Sequence, residues 1–139
     1  MAFRIVLADD HPSVRQIVKA ILAEDKEMEV IGEVEDGFAL LRFLGDLPTP
    51  PDLAIVDISM PKLQGIEVAR RIKLLYPSIK ILLLTVHQEK EYLSQAFRAG
   101  VEGYLLKEEA NTSLFTAIQS IRSGKTYQSP LVNDNDTPH

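Results

Sequence analysis

The feature that most constrains the fold of this chain is an alternation of short apolar runs with amphipathic helical segments along most of its length. Each run is rich in branched apolar residues and is followed by polar or turn-forming residues, which is typical of strands that are buried on both faces. We predict five such strands, at 3–8, 28–34, 53–56, 79–84 and 103–106.

Between these strands, apolar residues recur at the three- and four-residue spacing of a helix with one buried face. The predicted helices lie around 14–22, 40–44, 66–75, 89–98 and 114–121. We expect the second helix to end before the breakers of 45–51, and the third before Pro77, because a residue that precedes proline avoids the helical conformation. Gly100 is placed to form a left-handed cap after the fourth helix.

Alternating strands and helices predict an α/β fold, with a doubly wound five-stranded parallel sheet and helices on both of its faces. In such a sheet the functional crevice lies at the carboxyl ends of the strands. The length of 139 residues suits a single domain, which we assign to 1–124. The polar, aperiodic residues 125–139 are expected to form a disordered tail or a linker stub.

The composition excludes several classes of function. The chain has no cysteine, so disulfide bonds and thiolate metal sites are excluded. Its formal charge of −5 argues against direct binding to nucleic acid, which depends on clustered cations. No apolar stretch approaches the roughly 18 residues of a membrane span. We therefore expect a soluble, cytoplasmic protein that does not associate with membranes.

Five polar residues follow the predicted strands directly, namely Asp9, Asp10, Asp57, Thr85 and Lys107. Three carboxylates in one crevice are unfavourable, because two of them about 4 Å apart repel by about 4 kcal/mol at an effective dielectric constant of about 20. A hard divalent cation such as Mg²⁺ relieves this repulsion with oxygen ligands. Asp57 is the candidate nucleophile, because it ends the central strand before a turn that can expose it.

The same residues belong to motifs that resemble a known family. Residues 7–12 (LADDHP), 57–61 (DISMP) with Gly65, 84–85 (LT) and 103–107 (GYLLK) are similar in order and spacing to the receiver domains of two-component response regulators. The resemblance extends over about residues 3–123, and its first and last motifs resemble the NarL/FixJ (LuxR-type) subgroup. It implies a flavodoxin-like sheet with the strand order 2-1-3-4-5.

The resemblance also implies a phosphorylation chemistry. Asp57 would accept a phosphoryl group from a sensor histidine kinase, and the domain would assist its own phosphorylation and dephosphorylation without turning over an external substrate. Asp10, Asp57 and the backbone carbonyl group of Ser59 would hold Mg²⁺ (or Mn²⁺), with Asp9 helping through water. Phosphorylation would favour a homodimer.

The remaining roles concern the response to phosphorylation. Lys107 would pair with the phosphoryl oxygens, and Thr85 would turn its hydroxyl group towards them. Tyr104 would change rotamer as Thr85 moves, so that Thr85 and Tyr104 form the switch. Ser59 and His87 are expected at the mouth of the site, where they would set the hydrolysis rate through water access.

One residue departs from the family pattern. Many receivers have a proline with a cis peptide bond after the lysine, whereas Glu108 follows Lys107 here. A cis bond before a residue other than proline costs about 3–4 kcal/mol, so the sequence leaves the backbone geometry at this position open. His11 and His87 are also near the crevice, and we expect neither to carry a covalent phosphoryl group.

Other interpretations remain open at this point. Individually, Asp10 could cap a helix, Lys107 could be a solvated surface residue and Tyr104 a core aromatic. A flavin protein of this topology would need a glycine- and hydroxyl-rich phosphate loop, where this chain has two acids. A haloacid-dehalogenase-like phosphatase would need a DxDx[TV] motif, which Asp9 and Asp10 do not match. No GxxxxGK[ST] loop is present.

Two types of output are compatible with a receiver. The favoured interpretation is the regulatory part of a transcription regulator, whose separate C-terminal domain would bind DNA. The alternative is a stand-alone receiver that acts through a protein partner.

Overall fold

The computed structural model describes residues 2–134. Its strands are β1 (Phe3–Ala8), β2 (Met28–Val34), β3 (Leu53–Val56), β4 (Lys80–Thr85), β5 (Gly103–Leu106) and β6 (Tyr127–Gln128). Its helices are α1 (Pro12–Leu22), α2 (Gly37–Asp46), α3 (Gly65–Leu75), α4 (Lys90–Arg98), α5 (Ala110–Arg122) and α6 (Pro130–Asp134), and a 3₁₀ turn, Lys107–Glu109, precedes α5. Within this described part of the chain, every helix is too short or too polar to traverse a lipid bilayer.

The strands form one parallel sheet in the order β2-β1-β3-β4-β5-β6. The predicted flavodoxin-like order of the first five strands is confirmed, but residues 2–134 form a sheet of six strands rather than five. The second helix also differs from expectation, since α2 continues through Gly45 to Asp46. Gly100 has a φ of 101° after α4, as its predicted role as a left-handed cap requires.

Alternate residues of the strands enter two hydrophobic clusters, one on each face of the sheet. Ile5 belongs to the cluster that packs against α1 and α5, whereas its neighbour Val6 belongs to the cluster that packs against α2, α3 and α4. Both side chains are fully buried. Complete burial of a branched aliphatic side chain contributes about 1.5–3 kcal/mol, so this two-sided core fixes the register of the strands and the position of their carboxyl ends.

Part of the expected tail is ordered on the edge of the sheet. β6 pairs in parallel with β5, and Ser129 and Val132 beyond it are fully buried. The Ser129 amide donates a hydrogen bond to the Tyr104 carbonyl oxygen (2.9 Å), and its hydroxyl oxygen accepts one from the Leu106 amide (2.9 Å). The order at 127–132 departs from the disorder expected within 125–139. The assignment of this segment as a linker stub stays a prediction, and 135–139 lie outside the described residues.

Candidate functional site

The carboxyl ends of β1, β3 and β5 bring two acids and a lysine into one cleft. The Lys107 ammonium nitrogen lies 3.2 Å from Asp9 Oδ2 and 3.3 Å from Asp57 Oδ2. Only 7% of the Asp9 side chain and 3% of the Asp57 side chain are exposed. Residues that are far apart in sequence therefore form a buried cluster of charge, because parallel strands end at the same edge of the sheet.

Two further residues, Asp10 and His11, adjoin the two acids of the cleft. Asp9, Asp10, His11 and Asp57 each offer one ligand atom, and these atoms lie within 4.8 Å of one another. His11 was expected near the crevice but not as a member of this group, although it directly follows the two acids. Its Nδ1 atom lies 3.1 Å from a carboxylate oxygen of Asp9 and 3.1 Å from one of Asp10.

The donor set fits a hard cation. Asp10 Oδ1 and Asp57 Oδ2 are buried oxygens that accept no well-aligned hydrogen bond from residues 2–134. Their contacts are ion pairs, with His11 Nδ1 at 3.1 Å and Lys107 Nζ at 3.3 Å. Burial raises the pKa of Asp57, as does the negative charge of Asp9, while Lys107 opposes both effects. Oxygen-rich sites with unsatisfied carboxylates are those that Mg²⁺ and similar ions prefer. The acidic pocket is therefore compatible with metal binding.

Local backbone contacts fix the two acidic loops. The Asp9 amide donates to the Val34 carbonyl oxygen (3.1 Å), which continues the pairing of β1 with β2 by one residue. The loop after β3 turns back on itself, where the Gly65 amide donates to the Ile58 carbonyl oxygen (2.9 Å). A Cβ atom at Gly65 would lie 2.3 Å from the Asp57 carbonyl oxygen, so only glycine fits beside the candidate acceptor.

The two predicted switch residues are connected through the backbone of His87. Thr85 ends β4, and its buried hydroxyl oxygen accepts a hydrogen bond from the His87 amide (3.1 Å). The hydroxyl group of Tyr104, on β5, donates to the His87 carbonyl oxygen (2.8 Å). Burial, and to a smaller extent the charge of Glu89, raises the pKa of Tyr104, so this hydroxyl group is a protonated donor at neutral pH.

The two predicted rate-setting residues contact each other. Ser59 Oγ lies 2.7 Å from Nε2 of His87, so the loop after β3 is bonded to the loop after β4. The His87 ring stacks on the Tyr92 ring, with 4.2 Å between the ring centroids and an angle of 23° between their planes. This stacking fixes the ring that Ser59 contacts.

The open question at Lys107 is answered by the local geometry. No peptide bond among residues 2–134 is cis, and the 3₁₀ turn of 107–109 begins at Lys107 itself. Lys107 therefore reaches the acids from a trans backbone. The Gln88 side-chain amide donates to Glu108 Oε1 (2.7 Å), which joins the loops after β4 and β5 beside the cleft.

Comparisons with known proteins agree with this architecture. The family profile of the response regulator receiver domain matches residues 5–119. The chain is 36% identical over 132 residues to the transcriptional regulatory protein DegU of Brevibacillus brevis, covering 95% of this chain and 55% of that protein. It is 35% identical over 125 residues to the oxygen regulatory protein NreC of Staphylococcus epidermidis, covering 89% and 56%. The chain thus spans about half the length of these curated relatives.

Solved structures give the same result. The isolated REC domain of RcsB from Salmonella enterica serovar Typhimurium, in the presence of phosphomimetic BeF3⁻, superposes with a TM-score of 0.87 at 32% identity, covering 95% of this chain and 96% of that one. A LuxR-family two-component response regulator from Aurantimonas sp. gives a TM-score of 0.88 at 31% identity, covering 95% and 93%. The chain therefore belongs to the response regulator receiver family, as a receiver domain whose relatives are NarL/FixJ-type regulators.

Proposed function

We propose that Asp57 accepts a phosphoryl group from a sensor histidine kinase in a reaction that depends on Mg²⁺ (or Mn²⁺). The observation that carries this proposal is the contact of one ammonium group, that of Lys107, with both Asp57 and Asp9 inside a buried acidic cleft. The cleft combines an anionic acceptor, a cation that can pair with phosphoryl oxygens, and carboxylates that can bind a metal ion.

In the proposed transfer, a carboxylate oxygen of Asp57 attacks the phosphorus atom of the kinase's phosphohistidine. An O–P bond forms as the P–N bond breaks, and the imidazole nitrogen keeps the bonding electron pair and takes up a proton. The product is an acyl phosphate. Lys107, already 3.3 Å from Asp57 Oδ2, lies within reach of the oxygens of the transferred group. We expect the domain to assist this reaction and the later hydrolysis, without turnover of an external substrate.

The residues proposed to hold the metal are Asp10, Asp57 and the backbone carbonyl group of Ser59, with Asp9 acting through water. The two buried carboxylate oxygens without hydrogen-bond partners among the described residues, on Asp10 and Asp57, support this assignment. A bound divalent cation would neutralise charge that develops on the phosphoryl oxygens during in-line transfer.

Phosphorylation would then shift the surface of the domain between two states. A phosphoryl group adds about 1.5–2 negative charges and three acceptor oxygens. The Thr85 hydroxyl group would donate to one of them, so the contact of Thr85 with the His87 amide would change. Because Tyr104 is bonded to the same residue, its position would change as well, and the altered surface would favour a homodimer.

Ser59 and His87 are proposed to set the lifetime of the acyl phosphate. Their 2.7 Å contact joins two loops beside the cleft. We expect this contact to restrict the access of water to the acyl phosphate. We expect Ser59→Ala and His87→Ala to change the hydrolysis rate in the same direction, because either removes the same bond. Equal lifetimes in both variants and the wild type would argue against this role.

The output proposed for the whole protein is regulation of transcription, through a C-terminal domain that binds DNA. Support comes from relatives that are transcriptional regulators and of which this chain spans about half. In the alternative, a stand-alone receiver, phosphorylation would change binding to a protein partner only. The sequence of the complete gene distinguishes the two.

The acceptor role is tested with acetyl phosphate, followed by intact-protein mass spectrometry. The wild type should gain one phosphoryl group in the presence of Mg²⁺ and none in EDTA, and Asp57→Asn should gain none under either condition. Asp46→Asn is the matched control, because Asp46 is exposed and is the last residue of α2, and it should label like the wild type. Undiminished labelling of Asp57→Asn would assign the acceptor to another residue.

A further inference from the structure

Arg15 has no part in the reaction proposed above, yet its side chain connects the acidic cleft to the neighbouring strand. Its Nη1 atom donates a hydrogen bond to the backbone carbonyl oxygen of Asp9 (2.5 Å), and its Nε atom donates to Glu33 Oε1 on β2 (3.0 Å). The other carboxylate oxygen of Glu33 accepts from Lys19 (2.6 Å). The Arg15 side chain is only 13% exposed, so its position is defined by these contacts.

The carbonyl group that Arg15 contacts belongs to the peptide unit joining Asp9 to Asp10. The preceding peptide unit is fixed independently, since the Asp9 amide donates to the Val34 carbonyl oxygen. Both peptide units that flank Asp9 are thus attached to β2, one directly and one through Arg15 and Glu33. The orientation of the second unit determines where the two neighbouring carboxylates point.

The chemistry of Arg15 suits this connection. A guanidinium group is a planar fork that can donate to two acceptors at once, which a lysine ammonium on a flexible chain does not reproduce. Hydrogen bonding to Lys19, and also to Arg15, lowers the pKa of Glu33 against the opposing effect of burial. Glu33 is therefore ionised at neutral pH and remains a strong acceptor for the guanidinium. Arg15 also lines the same small cavity as Asp9 and Asp57.

We propose that Arg15 is a positioning residue of the metal site, which holds the Asp9–Asp10 peptide unit so that both carboxylates face the bound cation. The inference rests on the proposed function of the acidic cleft. Positioning by Arg15 and simple charge repulsion predict opposite effects of an Arg15 substitution on Mg²⁺ affinity. The positive charge of Arg15 repels Mg²⁺, so removal of that charge alone would tighten Mg²⁺ binding. Loss of the positioning of the Asp9–Asp10 peptide unit would weaken Mg²⁺ binding instead.

The test is a Mg²⁺ titration of the 139-residue chain, followed through its backbone amide resonances, for the wild type, Arg15→Ala, Arg15→Lys and Lys19→Ala. We expect Arg15→Ala to weaken Mg²⁺ binding about tenfold, the lower end of the effect of losing an outer contact of a metal site. Arg15→Lys should not restore it, because one ammonium group does not replace the fork. Lys19→Ala removes a nearby charge without a contact to Asp9, and should alter affinity by no more than about twofold.

Unchanged or tighter Mg²⁺ binding by a folded Arg15→Ala overturns the inference. If Arg15→Ala does not fold, Glu33 provides the test. Glu33→Gln keeps an oxygen that accepts from Arg15 and should retain the affinity, whereas Glu33→Ala should weaken it; equal affinities overturn the inference. A wild type that binds no Mg²⁺ contradicts the proposed function itself, which distinguishes the two failures.

Discussion

The ammonium nitrogen of Lys107 lies 3.3 Å from Oδ2 of Asp57, so the residue that follows β5 pairs with the residue that follows β3. The same ammonium group is 3.2 Å from Asp9, and one cation is therefore shared by two buried carboxylates. With Asp10 in the same group, negative charge exceeds positive charge in the cleft.

Asp57→Asn should stabilise the metal-free domain at neutral pH. Burial and the charge of Asp9 raise the pKa of Asp57, so the folded state favours the protonated carboxyl group. The stability that Asp57 contributes in the wild type is fully present below the unfolded-state pKa of about 3.9. It is lost as the pH rises through the folded-state pKa of Asp57. The free energy of unfolding of the variant should therefore exceed that of the wild type by the largest amount at pH 7 in EDTA. The difference should shrink towards pH 4.

Thermal unfolding between pH 4 and pH 8 measures this effect. A gain of 1 kcal/mol corresponds to about 3–5 °C in melting temperature for a domain of this size. Asp46→Asn, at an exposed position, should leave the melting temperature unchanged. A wild type more stable than Asp57→Asn at pH 7 in EDTA would contradict the prediction.

Tyr104→Phe should destabilise the domain by about 0.5–1.5 kcal/mol, the net value of a buried hydrogen bond. The lost bond is the one from the Tyr104 hydroxyl group to the His87 carbonyl oxygen. Chemical denaturation gives the free energy of unfolding, with Tyr127→Phe as a control at a half-buried position. If the two variants are equally stable, the contact with His87 has no net energetic role.

Ser129→Ala should cost about 1–3 kcal/mol, because it leaves the buried Leu106 amide without its acceptor. The change also loosens the attachment of β6 to β5 immediately before Lys107. Hydrogen exchange of the Leu106 amide should become faster. Ser94→Ala, on the half-buried part of α4, is the control and should have little effect on stability. Unaltered exchange at Leu106 would show that the contact is not formed in solution.

Gly65→Ala should reduce both stability and phosphorylation. Its new Cβ atom would lie 2.3 Å from the Asp57 carbonyl oxygen, so the backbone at the acceptor must move. Gly45→Ala is the matched control, because its nearest neighbour would be the Tyr76 hydroxyl oxygen at 3.8 Å. Inside α2, alanine should be more favourable than glycine by up to about 1 kcal/mol. Equal labelling rates for the two variants would contradict the requirement for glycine beside Asp57.

The resemblance to receiver domains predicted the order of the first five strands. The meeting of Asp57 with Lys107 was predicted from the sheet itself, because parallel strands end at one edge. It did not predict β6, since a two-residue strand carries no periodicity and the burial of Ser129 depends on contacts with β5. The bond from Arg15 to Asp9 was also missed. It depends on the direction of a long side chain across a turn, which residue spacing does not encode.

The most direct measurement of the central claim is peptide mapping of the phosphorylated domain by tandem mass spectrometry, after treatment with acetyl phosphate and Mg²⁺. Labelling at Asp57 alone is the predicted result, because this acid combines burial with an oxygen that lies 3.3 Å from the Lys107 ammonium group and accepts no hydrogen bond from the described residues. A phosphoryl group on Asp9, Asp10, His11 or His87, with Asp57 unmodified, would contradict the account.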